Sequence, residues 1–203
     1  MVTVAHIGKA ERYLKRADPV LADVIGRHGP CTLMQKPGSH FHTLVWAIVN
    51  QQLSVRAAQT IESRLLDRFA SSEFQPQHFR RVRQQTLRKC GLSGQKIRYI
   101  REISRRIDTG ELDLEQLEIL EDDQAAEMLM ALPGIGRWTA DMLLMFSLGR
   151  LDVLPVGDLA LRKSIRVHYG LAEDAGHDVY LQVAECWRPY RTIASWYFLA
   201  AVD

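Results

Sequence analysis

Three stretches of this chain carry residue types whose spacing could do chemistry. In the first, Leu132-Pro133-Gly134-Ile135-Gly136 separates two helical patterns. Pro133 stops the first pattern and presets a turn. Gly134 and Gly136 permit positive φ and let another backbone come close. N–H groups at the start of the next helix have no intrahelical partner, so the turn and the helix terminus can hold an anion. Phosphate suits such a site, because backbone donors grip it without reading sequence. An ordinary helix–turn–helix corner would use the same glycines. In the second stretch, Leu154-Pro155-Val156-Gly157 leads to Asp158 at the head of another helical pattern. An aspartate there can be a structural cap. The same free N–H groups and the helix dipole favour its negative charge. A carboxylate fixed in that way can stabilise a developing cation and orient or deprotonate a water. Asp141, within a helical pattern, and Asp152, earlier in the loop, are weaker candidates. In the third stretch, Gln51-Gln52-Leu53-Ser54 interrupts two apolar helical patterns, where the glutamines can simply end a helix.

Nearly every segment that must position these residues reads as helix. Val4 to Arg16 is one, and Asp18-Pro19 opens the next, which Gly29-Pro30 closes. Met34 to Ser39 reads as a loop with Pro37-Gly38, after which Ser39 can cap Phe41 to Asn50. Ser54 caps Ala57 to Phe69, with Ala58, Ile61, Leu65 and Phe69 on one apolar face. Pro76 starts a short helix and Gly91 ends the one after it. Ser93 opens a helix in which Ile97, Ile100, Ile103 and Ile107 recur at helical spacing, and Asp113 can cap another short one. Asp122 and Asp123 can cap a helix through Met130. Arg137 to Leu148 is strongly helical, and Gly149 is placed to end it in the left-handed conformation. Asp158 to Tyr169, Asp178 to Trp187, and a last helix from near Pro189 to the C-terminus complete the chain. No convincing strand hairpin, repeat or low-complexity linker is visible. The expected fold is all-α. The loop around Pro155 is expected to cross between two helical halves, about 40–153 and about 1–39 plus 154–203, with a cleft between them.

Composition limits the function classes. The 203 residues make one domain or two small ones, and 47% hydrophobic content can fill a sizeable core. No apolar run is long enough for a membrane span, and the start, MVTVAHIGKAERYLKR, lacks the apolar region of a signal peptide. Cys31, Cys90 and Cys186 are scattered and odd in number. They read as neither a disulfide framework nor a metal knuckle, and fit a reducing cytosol. With a net charge of only +2, any nucleic-acid surface must come from local clustering. The basic middle region from Arg80 to Arg101, offset by acids up to Asp123, reads better as a solvated helical face. Arg137, Arg162, Lys163 and Arg166 are better phosphate candidates.

The string Leu132-Pro133-Gly134-Ile135-Gly136-Arg137-Trp138-Thr139-Ala140 closely resembles the helix-hairpin-helix motif of DNA repair glycosylases, and within them the 3-methyladenine DNA glycosylase II family. In that superfamily the motif is followed by a Gly/Pro loop with a catalytic Asp, which here is Asp158. Phe41 to Ser54 resembles the family's Gln-Gln-(Leu/Ile)-Ser segment, whose tip fills the gap left by a flipped nucleotide, so Gln52 and Leu53 are the wedge candidates. Trp187 to Tyr197 resembles the family's C-terminal helix, whose aromatics shape the base pocket. The resemblance covers roughly Leu33 to Phe198 and implies a helix-hairpin-helix glycosylase fold with a DNA-binding cleft.

The resemblance also implies the chemistry. A base is flipped out of the duplex, because its glycosidic carbon is inaccessible in the stack. Asp158 then assists hydrolysis through an oxocarbenium-like sugar. Bifunctional relatives carry a Schiff-base Lys where this chain has Trp138, so a monofunctional glycosylase without AP-lyase activity is expected. Trp138 can stack on a purine made cationic by alkylation, which points to 3-methyladenine and also 7-methylguanine or related bases. Phe41, Met142, Trp196 and Leu199 are the remaining base-pocket candidates, with Trp187, Tyr190 and Tyr197 as local alternatives. Met142 and Leu199 stand where many members have aromatics. Gly134, Ile135, Gly136, Arg137, Thr139, Arg162 and Lys163 are the DNA-binding candidates. By position, the carbonyls of Met130, Leu132 and Ile135 would hold the superfamily's monovalent cation, Na or K. One C-terminal cysteine, Cys186, is too few for an iron–sulfur cluster, and no cofactor is expected to be required. The expected partner is double-stranded DNA with alkylated bases, bound by a monomer, in the bacterial nucleoid and cytoplasm or the eukaryotic nucleus, with no membrane. A glycosylase for hypoxanthine, uracil or mismatched adenine is the first rival. A non-catalytic helix-hairpin-helix DNA-binding module is the second.

Overall fold

The computed structural model describes residues 4–33 and 38–201. Among them the regular structure is helical, with no strand. Of the expected loop from Met34 to Ser39, positions 34–37 lie outside the described residues, as do the last two of the chain. The helices are α1 Val4–Ala17, α2 Pro19–His28, α3 His40–Asn50, α4 Val55–Phe69, α5 Pro76–Arg81, α6 Gln84–Lys89, α7 Gly94–Asp108, α8 Asp122–Met130, α9 Arg137–Phe146, α10 Leu159–Tyr169, α11 His177–Val183 and α12 Arg191–Ala200. They form two compact units, Pro37–Leu143 and Met1–Lys36 with Leu144–Asp203.

In the unit spanning 37–143, serine caps set the helix starts as their sequence positions suggest. Ser39, Ser54 and Ser93 accept from the N–H groups of His42, Ala57 and Lys96. The cap of α8 differs from expectation. It is Glu121, whose N–H is in turn covered by Gln124 Oε1 at 3.3 Å. Asp122 and Asp123 lie in the first turn instead, where their charge suits the helix dipole. The α7 isoleucines Ile97, Ile100 and Ile103 are buried with Leu44, Ile48, Leu65 and Leu87. Phe41, Phe69, Phe74 and Phe79 pack edge-to-face beside them. Arg101 caps the end of α5, donating to the carbonyls of Phe79 and Val82 at 3.0 and 2.6 Å. Arg105 and Arg106 pair with Glu102, and Arg105 also with Glu111.

The other unit is built on α1, α2 and α10 to α12, around Leu14, Leu21, Leu161, Trp187, Tyr197 and Phe198. Its buried polar centre is Asp18, the cap of α2. It accepts from the N–H groups of Val20 and Leu21 at 2.9 and 3.1 Å, from Trp187 Nε1 at 2.7 Å, and from the Tyr169 hydroxyl. A carboxylate can be buried only when its acceptor sites are filled in this way. Three helix boundaries and the division between the units differ from the sequence reading. The stretch expected as one helix from Asp178 to Trp187 is α11 followed by a 3-10 segment, Ala184–Trp187. The last helix starts at Arg191 rather than near Pro189. α9 stops at Phe146, two residues before Leu148, and Gly149 closes it at φ 65° with Arg150 N–H on the Leu144 carbonyl at 2.8 Å. The units change over within α9, at 143/144, rather than near 153. Phe146 in its last turn already packs on the core of the second unit, together with Leu151, Leu154 and Val156.

Candidate functional site

The hairpin between α8 and α9 is fixed by three backbone hydrogen bonds. Leu132 N–H reaches the Leu129 carbonyl, Ile135 N–H the Leu132 carbonyl, and Ala140 N–H the Gly136 carbonyl, at 3.0, 3.2 and 3.1 Å. Leu132 and Ile135 turn their side chains into the core, so Ile135 offers a ligand only its backbone. The two glycines have different reasons. Gly134 stands at φ 77° close to the Tyr99 ring, and a Cβ there would run into that ring. Gly136 is exposed, and a Cβ on it would meet nothing within 4 Å. That open space lies at the start of α9, and a helix start is where an anion can meet backbone N–H groups. Arg137, the first residue of that turn, keeps 59% of its side chain exposed while its Nε donates to Asp141 Oδ1 at 2.8 Å. Asp141 is buried, which raises its carboxyl to about 6, with Arg137 pulling the other way. Thr139 was expected at the DNA. Instead it is 2% exposed and its hydroxyl accepts from Gln51 Nε2 at 3.0 Å. It supports the hairpin from inside because the third position of α9 faces the core.

Gln51 belongs to the tight turn between α3 and α4. Gln52 and Leu53 are both exposed at its tip, Leu53 by 41%. Gln52 adopts φ 57°, a region that costs a side chain with a Cβ and is common at functional turns. The strain is held by neighbours. Gln51 Nε2 also donates to the Gly134 carbonyl at 2.9 Å. Lys96 Nζ donates to the carbonyls of Val49 and Gln51 at 2.9 and 2.8 Å, and partial burial lowers its ammonium from the usual lysine range. Sequence reasoning assigned the block to a tip and missed Gln51, Lys96 and Tyr99 as its supports. The Gln-Gln pair was the only local signal, and it does not say which glutamine faces inward.

In the other unit Asp158 caps α10. Its Oδ1 accepts from Leu161 N–H at 2.9 Å, and the residue is 9% exposed. Its loop is stitched to α12. The Thr192 hydroxyl donates to the Arg150 carbonyl at 2.6 Å and accepts from Val153 N–H at 3.0 Å, and Thr192 N–H reaches the Leu151 carbonyl. Asp158 N–H closes on the Pro155 carbonyl at 2.8 Å. Asp152, a weaker catalytic candidate, is occupied: Arg191 Nε and Arg188 bind its two oxygens, each at 2.7 Å. It anchors the loop and is not available for chemistry. Three residues of α10 place a basic wall on the helix that Asp158 caps. The Arg162 guanidinium lies 6.0 Å over the Tyr180 ring, with a buried Nε that has no partner. Lys163 is exposed, and Arg166 stands 3.7 Å from Glu173. Together with Leu159 they line a cavity of about 240 Å³.

The expected base-pocket residues divide by burial. Trp138 is half-buried in the first turn of α9. Phe41 and Met142 are core residues, 5% and 2% exposed, and the Phe41 ring lies against Phe79, so neither presents surface to a base. In the other unit Trp196 and Leu199 are half-buried on α12, Trp196 with its ring against Tyr197. Trp187 and Tyr197 are fully buried and hydrogen-bonded to Asp18 and Glu11, so both are structural. Tyr190 is half-buried against Tyr13.

Comparison with known proteins agrees with this arrangement. Residues 45–189 match the family described as HhH-GPD superfamily base excision DNA repair protein. The chain is 33% identical to DNA-3-methyladenine glycosylase 1 of Schizosaccharomyces pombe over 96% of its own length and 87% of that protein's. Among solved structures it resembles a DNA-3-methyladenine glycosidase from Bacillus halodurans, at 38% identity and a TM-score of 0.76, covering 96% of this chain and 89% of that one. It also resembles the Schizosaccharomyces pombe 3-methyladenine DNA glycosylase in complex with abasic DNA, at 32% identity and a TM-score of 0.82, covering 94% and 95%.

Proposed function

The chain belongs to the HhH-GPD superfamily of base excision DNA repair proteins, and from that premise we propose that it is a monofunctional DNA glycosylase for alkylated bases. The observation that carries the proposal is Asp158, a carboxylate fixed at the head of α10 by the N–H of Leu161. The hairpin grips a phosphate of double-stranded DNA through the N–H groups opening α9, with the Arg137 guanidinium beside them. Gln52 and Leu53 fill the gap as the damaged nucleotide leaves the stack. Trp138 offers its face to a purine made cationic by alkylation. Such a base leaves as a neutral species and needs little protonation, so a single carboxylate suffices. Asp158 stabilises the positive charge growing on the sugar and directs or deprotonates the water that attacks it. The products are a free base and an abasic site. The relatives named above act on 3-methyladenine, which makes it the first substrate to try. An aromatic ring at position 138, where bifunctional relatives have a lysine, supports hydrolysis without strand cleavage.

A monovalent cation at the hairpin is part of the same proposal. Among the described residues the carbonyls of Met130 and Ile135 receive no backbone N–H, whereas that of Leu132 accepts one from Ile135. Carbonyl oxygens of this kind are the ligands a Na or K ion would take at the hairpin. Such an ion would offset carbonyl repulsion of the phosphate.

The test is incubation with methylated duplex DNA carrying radiolabelled methyl groups. Free 3-methyladenine, with strand breaks only after alkali, is expected. No released base from folded protein would overturn the reading, and breaks without alkali would overturn the monofunctional part.

A further inference from the structure

We propose that Gln51 is a positioning residue. It locks the gap-filling turn to the phosphate-gripping hairpin, so that Gln52 and Leu53 advance only as far as the hairpin's hold on the backbone allows. The inference rests on the glycosylase reading above. It concerns one unit only, since every residue involved lies between 37 and 143.

The geometry is closed at each point. A side-chain amide has two N–H donors. Both of Gln51's are used on the far side of the turn, one on the Gly134 carbonyl and the other on the Thr139 hydroxyl, across 83 and 88 residues of sequence. The backbone carbonyl of the same residue is held from below by Lys96 Nζ, which also takes the Val49 carbonyl. One turn along α7, the Tyr99 ring packs against Gly134. One face of α7 thus supports both the turn and the hairpin, and Gln51 is the side chain that spans them. Gln52 at φ 57° shows why a clamp is needed. A tight turn with a Cβ in the left-handed region opens to more comfortable angles unless its ends are fixed.

The clamp has a function that a plain helix cap lacks. Flipping breaks stacking and pairing, and the wedge offsets that cost only if it enters the gap while the phosphate is held. A turn displaced by about 1 Å relative to the hairpin costs on the order of a hundredfold in rate. It leaves the phosphate grip itself unchanged.

Gln51→Met keeps the side-chain length and removes both donors. Gln51→Glu keeps the shape and turns acceptors toward the Gly134 carbonyl. Three quantities are measured for each: affinity for undamaged duplex, preference for duplex with a tetrahydrofuran abasic analogue over undamaged duplex, and single-turnover base release from methylated duplex. Undamaged duplex is expected to bind as tightly as to the unaltered protein, while abasic preference and rate each fall at least tenfold and the melting temperature holds. Unchanged preference and rate in both variants overturn the proposal. So does a parallel loss of undamaged binding and melting temperature, which would make Gln51 an ordinary structural prop. Failure of the unaltered protein to release any base would instead count against the glycosylase reading.

Discussion

Asp158 has two roles in this structure, and one substitution separates them. Its Oδ1 caps α10 by accepting Leu161 N–H at 2.9 Å. The proposed chemistry uses its charge. Asparagine offers the same carbonyl-type oxygen and ranks with aspartate as an N-cap, whereas alanine loses about 0.5–2 kcal/mol. In a protein of this size, each kcal/mol moves the melting temperature by about 2–4 °C. Asp158→Asn is therefore expected to melt within a degree or two of the unaltered protein, and Asp158→Ala several degrees lower. Activity should not follow that order. Removing one preorganised electrostatic partner of a transition state costs about 100- to 1000-fold, and both variants lack the charge. Both should lose base release by at least that factor while still binding abasic duplex. The assays are thermal unfolding and single-turnover release of methylated bases. The reasoning is refuted if Asp158→Asn releases bases at the unaltered rate. It is refuted equally if the two variants lose activity in proportion to their loss of stability.

Other sites yield predictions with the same logic. Gly134→Ala must place a Cβ at φ 77° against the Tyr99 ring, so calorimetry should show a loss of about 2 kcal/mol or more. Gly136→Ala meets nothing within 4 Å, so it should melt normally yet bind duplex DNA at least tenfold more weakly, and undiminished binding would remove the hairpin as phosphate grip. Asp141 has its carboxyl raised to about 6 by burial. A raised acid binds its proton better in the folded state, so this contribution to stability is full below about pH 4 and is lost as pH rises through 6. Asp141→Asn should flatten that slope in a series of denaturant unfolding curves, and an unaltered slope would contradict the assignment. Trp187→Phe removes the Nε1 donor 2.7 Å from Asp18, which should cost about 1–3 kcal/mol in the same measurement without changing base release.

The helices were legible in the sequence because the forces that start and stop them are short-range. Serine caps at 39, 54 and 93 and the glycine at 149 act on N–H and C=O groups within one turn of themselves. The hairpin and the cap position of Asp158 belong to the same class, since both are fixed by residues that neighbour them in the chain. Where the expectation failed, a local competitor won. Glu121 with Gln124 outcompeted the two aspartates that follow it, and tight 3-10 winding took over at Ala184.

The direction in which side chains face was settled by packing between elements distant in sequence. Periodicity marks Phe41, Thr139 and Met142 as members of helices. It does not reveal that the core of their unit closes over all three. Asp152 stays a weaker candidate in the sequence until α12 brings Arg191 against it from 39 residues away. Gln51 and Gln52 are identical in type and adjacent in the chain. One turns inward to the hairpin and the other stands in the left-handed region at the tip. A helical chain with a glycine hairpin and an aspartate at the head of a helix is readable from residue order alone, because those features are written in contacts within one turn. Which polar groups are used up inside and which stay at the surface depends on packing between distant elements, because a buried donor or acceptor must be satisfied by whatever the fold brings to it.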